Sequence, residues 1–430
     1  MDKKILFVTM DCWSDLNGAT TASTFASLFS NYNPENMASL YLREDVPSGK
    51  GCSKYFQISE SAVIKSVLKP RVKTGKLYSS SDLTVSEEDA KNIDKTSERY
   101  KKYGKKRNRL LLFVREFIWR IGRWKSKALK EFLLDFKPDV IIYGMEGYRY
   151  FNRVVRYSLK VTKAKGVGFF WDDNFTFKQR KKDLLFLIER TAQRKSLKKT
   201  ASKSSAFLAI SPKTKAEADE YFKINSTVIT KPIDVRPYNE YLVGGGKIKI
   251  VYAGNLKIGR LDTLKLLSDV LDKSEELKDR FEVDVYSQTY LSKEEKELFK
   301  SPVNLKGGIP SYEVDSVLSG ADVLLLLEAL KGKNKNVARL SFSTKLTDYL
   351  GSGKCIFAIC VKEHAFSEYL AENDCALIAE NEEDIKIALQ KLANDQTLLN
   401  YYGKRAHDVA VKNHSREIIE EKLYSLLENL

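Results

Sequence analysis

Lys249-Ile-Val-Tyr-Ala-Gly-Asn-Leu-Lys-Ile-Gly-Arg260 runs from a β-branched strand, through Gly254-Asn255, into a helix start that carries Lys257 and Arg260. A second stretch, Arg339-Leu-Ser-Phe-Ser-Thr-Lys-Leu-Thr-Asp-Tyr-Leu-Gly-Ser-Gly-Lys354, sets Ser343, Thr344 and Lys345 just ahead of an apolar helical run. At such junctions backbone N–H groups, the helix dipole and Lys or Arg side chains converge on a phosphate. Two of them in one chain point to a bound nucleotide diphosphate. Open parallel α/β sheets hold their ligands at this place, the carboxyl ends of strands.

Working outward, strand and helix keep alternating, which predicts an α/β chain with parallel, doubly wound sheets. In the first half, strands are expected at Lys4 to Thr9, Met37 to Tyr41, 138–143, 167–171 and 206–210. Only one strand is legible between 34 and 95, and a Ser-rich loop is expected near 79–97. Helices are expected at 20–30, 97–136, 150–162, 178–202 and 212–221. The glycines Gly244-Gly-Gly246 mark the boundary between a domain of 1–240 and one of 247–412. Beyond it, strands are expected at 248–253, 281–287, 303–305, 322–327, 355–359 and 376–378. Helices then close the chain, and the last, 415–430, is expected to pack back on the first domain.

Composition agrees with two domains. The chain has 430 residues, too many for one ordinary core, with 43% apolar and 11% aromatic residues. A formal charge of +16 calls for anionic partners: nucleotide, nucleic acid or acidic lipid. The five cysteines show no CxxC pairing and no metal spacing, as in a cytosolic protein with reduced thiols. No apolar run approaches the roughly 20 residues of a membrane span. A soluble or peripheral protein is expected.

Each motif also has a plain structural reading. Gly254, Asn255, Lys257 and Arg260 would cradle a phosphate, or they form an ordinary strand–helix turn. Lys345 and Asp348 lie three residues apart on one helix face, so Lys345 can reach a diphosphate while Asp348 accepts from ribose hydroxyls. The alternative is a capped helix with a surface ion pair. Tyr286 and Ile309, near the ends of two further strands, could border the base. In the first half, Phe170-Trp-Asp-Asp-Asn174 ends a strand, and Asp172 or Asp173 could orient or deprotonate a hydroxyl, or could serve a turn. Glu146 and Arg149 follow the strand at 138–143 and are candidates for acceptor contact.

Taken together, these pieces resemble the "group 1" family of retaining glycosyltransferases with the GT-B fold. The matching segments are Phe207-Leu-Ala-Ile-Ser211, Val228-Ile-Thr-Lys-Pro-Ile-Asp234, Val251-Tyr-Ala-Gly-Asn255 with Arg260, Gly307-Gly-Ile-Pro310, Ala321-Asp-Val-Leu324 and Ser343 to Lys354. The resemblance implies two Rossmann-like domains facing across a cleft, a nucleotide sugar on the second and an acceptor on the first. It implies phosphate binding by Arg260 and Lys345, ribose binding by Asp348, and a backbone approach at Gly18. A UDP-sugar is favoured over a GDP-sugar as donor, with no metal and no cofactor. Two departures stand out. Relatives often carry a glutamate eight positions before the ribose-binding acid, where this chain has Leu340, so Glu328 is the nearest acid that could approach the sugar. Some relatives place a histidine in the first domain, but His364, His407 and His414 all lie in the second half.

From Arg99 to Lys130 there are thirteen Lys or Arg residues and one acid, Glu116, interleaved with Phe117, Trp119 and Trp124. Leu110, Val114, Phe117, Ile121, Trp124 and Ala128 recur at helical spacing. Such a helix could rest on anionic lipid or be merely a solvated basic helix. The expected activity is transfer of a sugar to a glycan or lipid-linked acceptor in bacterial surface polysaccharide synthesis, at the cytoplasmic face of the membrane. A silent GT-B partner subunit, a nucleotide-sugar epimerase of the same fold and a basic nucleic-acid-binding protein remain as alternatives. No recognised nucleic-acid module is present.

Overall fold

The computed structural model describes residues 2–13, 21–47, 51–80, 109–179, 183–240 and 246–430. Gly18, the part of the expected loop from 81 to 97 and the basic segment up to 108 lie outside them.

Two sheets carry the chain. The first has eight strands: β1 (Ile5–Thr9), β2 (Met37–Tyr41), β3 (Lys54–Ile58), β4 (Gly75–Ser79), β5 (Val140–Gly144), β6 (Lys165–Phe170), β7 (Ala206–Ala209) and β8 (Thr227–Val228). Their order is β4-β3-β2-β1-β5-β6-β7-β8, parallel throughout except for the antiparallel edge pair β3–β4. The second sheet holds β9 (Ile248–Ala253), β10 (Phe281–Tyr286), β11 (Val303–Gly307), β12 (Val323–Leu327), β13 (Cys355–Ile359) and β14 (Leu377–Ala379). Its order, β11-β10-β9-β12-β13-β14, is parallel throughout. Parallel sheets are covered on both faces, and accordingly every residue of β1, β2, β5, β12 and β13 is buried. Each sheet reverses its winding once, between β1 and β5 and between β9 and β12. Such switch points leave a crevice at the strand ends.

β3 and β4 fall between 34 and 95, where a single strand, Met37 to Tyr41, is expected. Gly75-Lys-Leu-Tyr-Ser79 is an edge strand with Lys76 and Leu77 exposed, so it lacks the apolar run that marks a central strand. The single helix expected over 97–136 is two, Arg109–Ile121 and Lys127–Phe136. Gly122 permits the break, because a Cβ there would lie 2.6 Å from Val63 Cγ1. Ser126 then caps the second helix by accepting from Leu129 N at 3.1 Å.

The expected inward stripe also turns out differently. Val114, Phe117 and Ile121 are 47–60% exposed and Ala128 is exposed, while Leu110 lies outside the described side chains. Trp119 is buried instead and stacks on Tyr150 at 4.8 Å. Trp124 anchors the break by donating from Nε1 to the Trp119 carbonyl at 3.0 Å.

The last helix, Arg416–Glu428, rests on the first half. Lys3 Nζ donates to the Leu427 carbonyl, Tyr424 packs beside Phe29 and Tyr32, and Arg416 bonds Ser30 and Asp234. Its predecessor, Thr397–His414, crosses the helix Thr344–Gly351 closely at Gly403. A Cβ at Gly403 would lie 2.3 Å from the Gly353 carbonyl oxygen, a backbone atom that cannot swing aside. Gly403→Ala is therefore expected to cost about 1–3 kcal/mol and to lower the calorimetric melting midpoint. Gly246→Ala, which meets nothing within 4 Å, should leave the midpoint unchanged.

Candidate functional site: a cation cradle facing a carboxylate edge

β9 ends at the β9/β12 switch point, and the chain turns sharply there. Ile258 (φ 62°) and Gly259 (φ 84°) both take the left-handed conformation, which folds Arg260 back toward β12. For a β-branched residue such as Ile258 this costs on the order of 1–2 kcal/mol, a strain of the kind found at ligand-binding turns. Arg260 donates from Nε to the Leu327 carbonyl (3.1 Å), from Nη1 to Asn255 Oδ1 (2.9 Å) and from Nη2 to Glu328 Oε1 (2.7 Å).

Lys345 arrives from the other junction. It lies in the first turn of the helix Thr344–Gly351, and its Nζ donates to the Ala253 carbonyl at 2.6 Å. It crosses Gly254 so closely that a Cβ there would stand 2.0 Å from Nζ. The two stretches that opened the sequence reading thus meet in one place. Burial, and then the neighbouring Arg260, lower the Lys345 pKa to about 8. Glu328 is nearly buried, and desolvation raises its pKa against the pull of Arg260. Two cations share one carboxylate, and Ser343 at the helix N-cap makes no side-chain capping bond. Cations and helix dipole both suit an anion here.

The remaining candidates of the second half lie at the ends of neighbouring strands, on the turn and along the same helix. Tyr286 closes β10, and its carbonyl accepts from Gly254 N at 2.9 Å. Ile309 follows β11, the neighbour of β10, and is half-buried. Lys257 is exposed on the turn and Thr344 begins the helix. Asp348 accepts from Lys231 Nζ at 2.7 and 2.8 Å, so Lys345 and Asp348 take separate partners and do not pair with each other. Glu328, read as an acid that could approach a sugar, is engaged by Arg260.

Across from the cradle, the first sheet presents acids at its own switch point. Glu146 follows β5 and accepts from Trp171 Nε1 at 3.2 Å. Burial, reinforced by Asp172, pushes its pKa up to about 7, with Asp11 adding to the effect and Arg43 opposing it. Asp11, after β1, pairs with Arg43, after β2. Asp172 accepts from the Ser341 hydroxyl, two residues before the Ser343 helix cap, so the carboxylate edge and the cradle adjoin.

Asp173 behaves differently from its neighbour. Fully buried, it accepts from Thr176 N and Oγ1 and from the Arg339 guanidinium, and both its oxygens are occupied. Arg149 turns away from the cleft to Glu116. That single acid caps the helix Arg149–Thr162, accepting from Arg149 N at 2.7 Å and Tyr150 N at 3.2 Å. Asp11 and Arg43 were missed in the sequence, although the strand-end rule that found Glu146 also points to them. Lys231 and Arg339 carry no local signal, because their partners are 117 and 166 residues away.

No family model matches the chain, and no curated protein does. Solved structures do. Anabaena HepE in complex with UDP is 11% identical, covers 99% of this chain and 100% of its own, and superposes with a TM-score of 0.63. WaaG, a glycosyltransferase involved in lipopolysaccharide biosynthesis, is 13% identical with a TM-score of 0.54, covering 97% of this chain and 98% of that one. A mutant of S. aureus TarM, solved in complex with UDP, is 15% identical with a TM-score of 0.50 over 71% of this chain; the match spans only 60% of the TarM chain. Such identities speak for architecture alone, and the architecture is GT-B: two α/β halves with parallel sheets.

Proposed function

We propose that this chain is a retaining glycosyltransferase that needs no metal and moves a sugar from a nucleotide-diphosphate donor to an acceptor held against the first sheet. The observation that carries this reading is the convergence of Arg260 and Lys345 at Gly254. Departure of a nucleotide diphosphate leaves charge on its terminal phosphate. Two preorganised cations and a helix N-terminus stabilise that charge without reorganising. Asp348 is the ribose contact, with Asn255, Lys257, Tyr286, Ile309, Ser343 and Thr344 completing the donor site. UDP is the favoured nucleotide, since HepE was solved with UDP and with UDP-glucose and TarM with UDP. Glu146 and Asp172 contact the acceptor hydroxyl, and Glu146, with a pKa near the working pH, is suited to take its proton. A catalytically silent partner subunit is the second reading, favoured by the engagement of Glu328 with Arg260.

The acceptor end of the molecule also offers a membrane-docking face, consistent with a lipid-linked acceptor for a surface glycan. The helices Arg109–Ile121 and Leu184–Ala201 flank the helix Arg149–Thr162 through Glu116–Arg153 and Arg156–Thr200 bonds. They expose Leu111, Val114, Phe117, Ile121, Leu184 and Ile188 among Lys and Arg residues. An apolar stripe with a basic surround suits the interface of an anionic bilayer. No helix among the described residues is long and apolar enough to cross one.

Three measurements test these statements. UDP should raise the melting midpoint without added metal, and Arg260→Ala or Lys345→Met should weaken UDP binding about 10- to 100-fold, the loss of a charge-assisted contact. If nucleotides have no effect while polyanions bind with a steep salt slope, the reading fails. Turnover should rise with pH through about 7 as Glu146 loses its proton, and Glu146→Gln should flatten that limb. Finally, the protein should sediment with anionic vesicles and not with zwitterionic ones, and Phe117→Asp should release it with UDP affinity unaltered.

A further inference from the structure

The segment 336–341 belongs to the second half, between β12 and the helix that carries Lys345, yet Asn336, Arg339, Leu340 and Ser341 are seated in the first half. Asn336 Nδ2 donates to the Lys178 carbonyl at 3.0 Å. Arg339 is 7% exposed and fills its guanidinium fork on two elements of the other half. Nε and Nη2 donate to Asp173 Oδ2 at 3.1 and 2.8 Å, and Nη1 and Nη2 to the Glu217 carboxylate at 2.5 and 2.8 Å. Leu340 is fully buried within the apolar cluster of the first sheet, among residues such as Phe170, Phe175 and Ala218. Its carbonyl accepts from Thr214 Oγ1 at 2.8 Å. Ser341 then donates to Asp172.

The plug therefore has an acid pair at one end and the donor cradle at the other. Asp172, held by Ser341, is the carboxylate that most perturbs Glu146, after burial itself. Lys345 lies only four residues beyond Ser341. A buried guanidinium with a planar, bidentate fork fixes orientation as well as distance, which a point charge on a flexible stem does not. Ion pairs between buried groups are better attested as devices of geometry than as sources of stability.

We propose that Arg339 is a positioning residue: through Asp173 and Glu217 it locks the two halves into one register, so that the carboxylate edge meets the cradle whether or not nucleotide is bound. The functional part of this inference rests on the glycosyltransferase reading; the mechanical part does not. In this chain the cleft is held in its working arrangement by the 336–341 plug, and nucleotide binding is not what closes it.

The test is a distance distribution between spin labels on the two halves of the full chain, at Ser202→Cys and Lys273→Cys, both exposed. The five natural cysteines are buried. The parent should give one narrow distribution that UDP does not shift. Glu217→Ala and Arg339→Lys should broaden it at least about twofold, as expected when an interdomain contact is released to hinge motion. Glu217→Gln, which keeps a carbonyl for the fork, should fall between. UDP affinity should stay within about twofold in all three, while UDP-glucose turnover falls about 10-fold or more, the usual result of misplaced reacting groups. A broad parent distribution, a UDP-driven shift in the parent, or variants as narrow as the parent would overturn the proposal. Failure of the parent to bind UDP would instead overturn the glycosyltransferase reading, and the distances in parent and variants would still decide whether the plug locks the halves.

Discussion

The bond from Lys345 to the Ala253 carbonyl is the contact on which the site depends. It spans 92 residues of sequence and crosses Gly254, where the missing side chain leaves room for the ammonium group. Arg260 stands beside it, and burial with two like charges is unfavourable unless something compensates. Glu328 compensates in part. The depressed pKa of Lys345 records what is left, a local excess of positive charge held away from water. An incoming diphosphate would relieve that excess, so the same arrangement that strains the free protein favours the ligand. The left-handed Ile258 tells the same story in the backbone.

The two halves are electrostatically opposite where they meet. The second sheet offers Arg260, Lys345 and Lys257 at its switch point, and the first offers Glu146, Asp172 and Asp11 with Arg43 among them. Under the proposed function, diphosphate and hydroxyl recognition fall to different sheets. Burial, reinforced by the neighbouring Asp172, lifts the Glu146 pKa to about 7, where a carboxylate can both hold and release a proton under ordinary conditions.

Much of this was legible beforehand. Parallel strands buried on both faces write themselves as apolar runs, so β1, β5, β9, β12 and β13 could be found from their residues alone. Strand ends followed by small residues and cations marked Gly254, Arg260 and Lys345. β4 escaped as a half-exposed edge strand without an apolar run, and β3 escaped although mostly buried, since Lys54 and Gln57 interrupt its short apolar stretch. The single helix expected over 97–136 misled for a related reason. Its apolar repeat continued through Gly122, whereas the protein breaks there and buries Trp119 while leaving Val114 and Phe117 outside.

From the sequence alone came the α/β class, the halves, the pairing of two cation-bearing junctions and the acids after β5 and β6. These follow from local chemistry: β-branched runs, turn residues and charges at strand ends. Tertiary structure alone decided how the acids divide. Asp172 and Asp173 are adjacent in the chain and alike in type, yet one faces Ser341 beside Glu146 and the other is consumed by Arg339. Glu116 caps a helix, and Asp348 answers Lys231. A side chain's partner depends on which distant segment reaches it, and that is set by how the two sheets dock, a relation that no local pattern encodes.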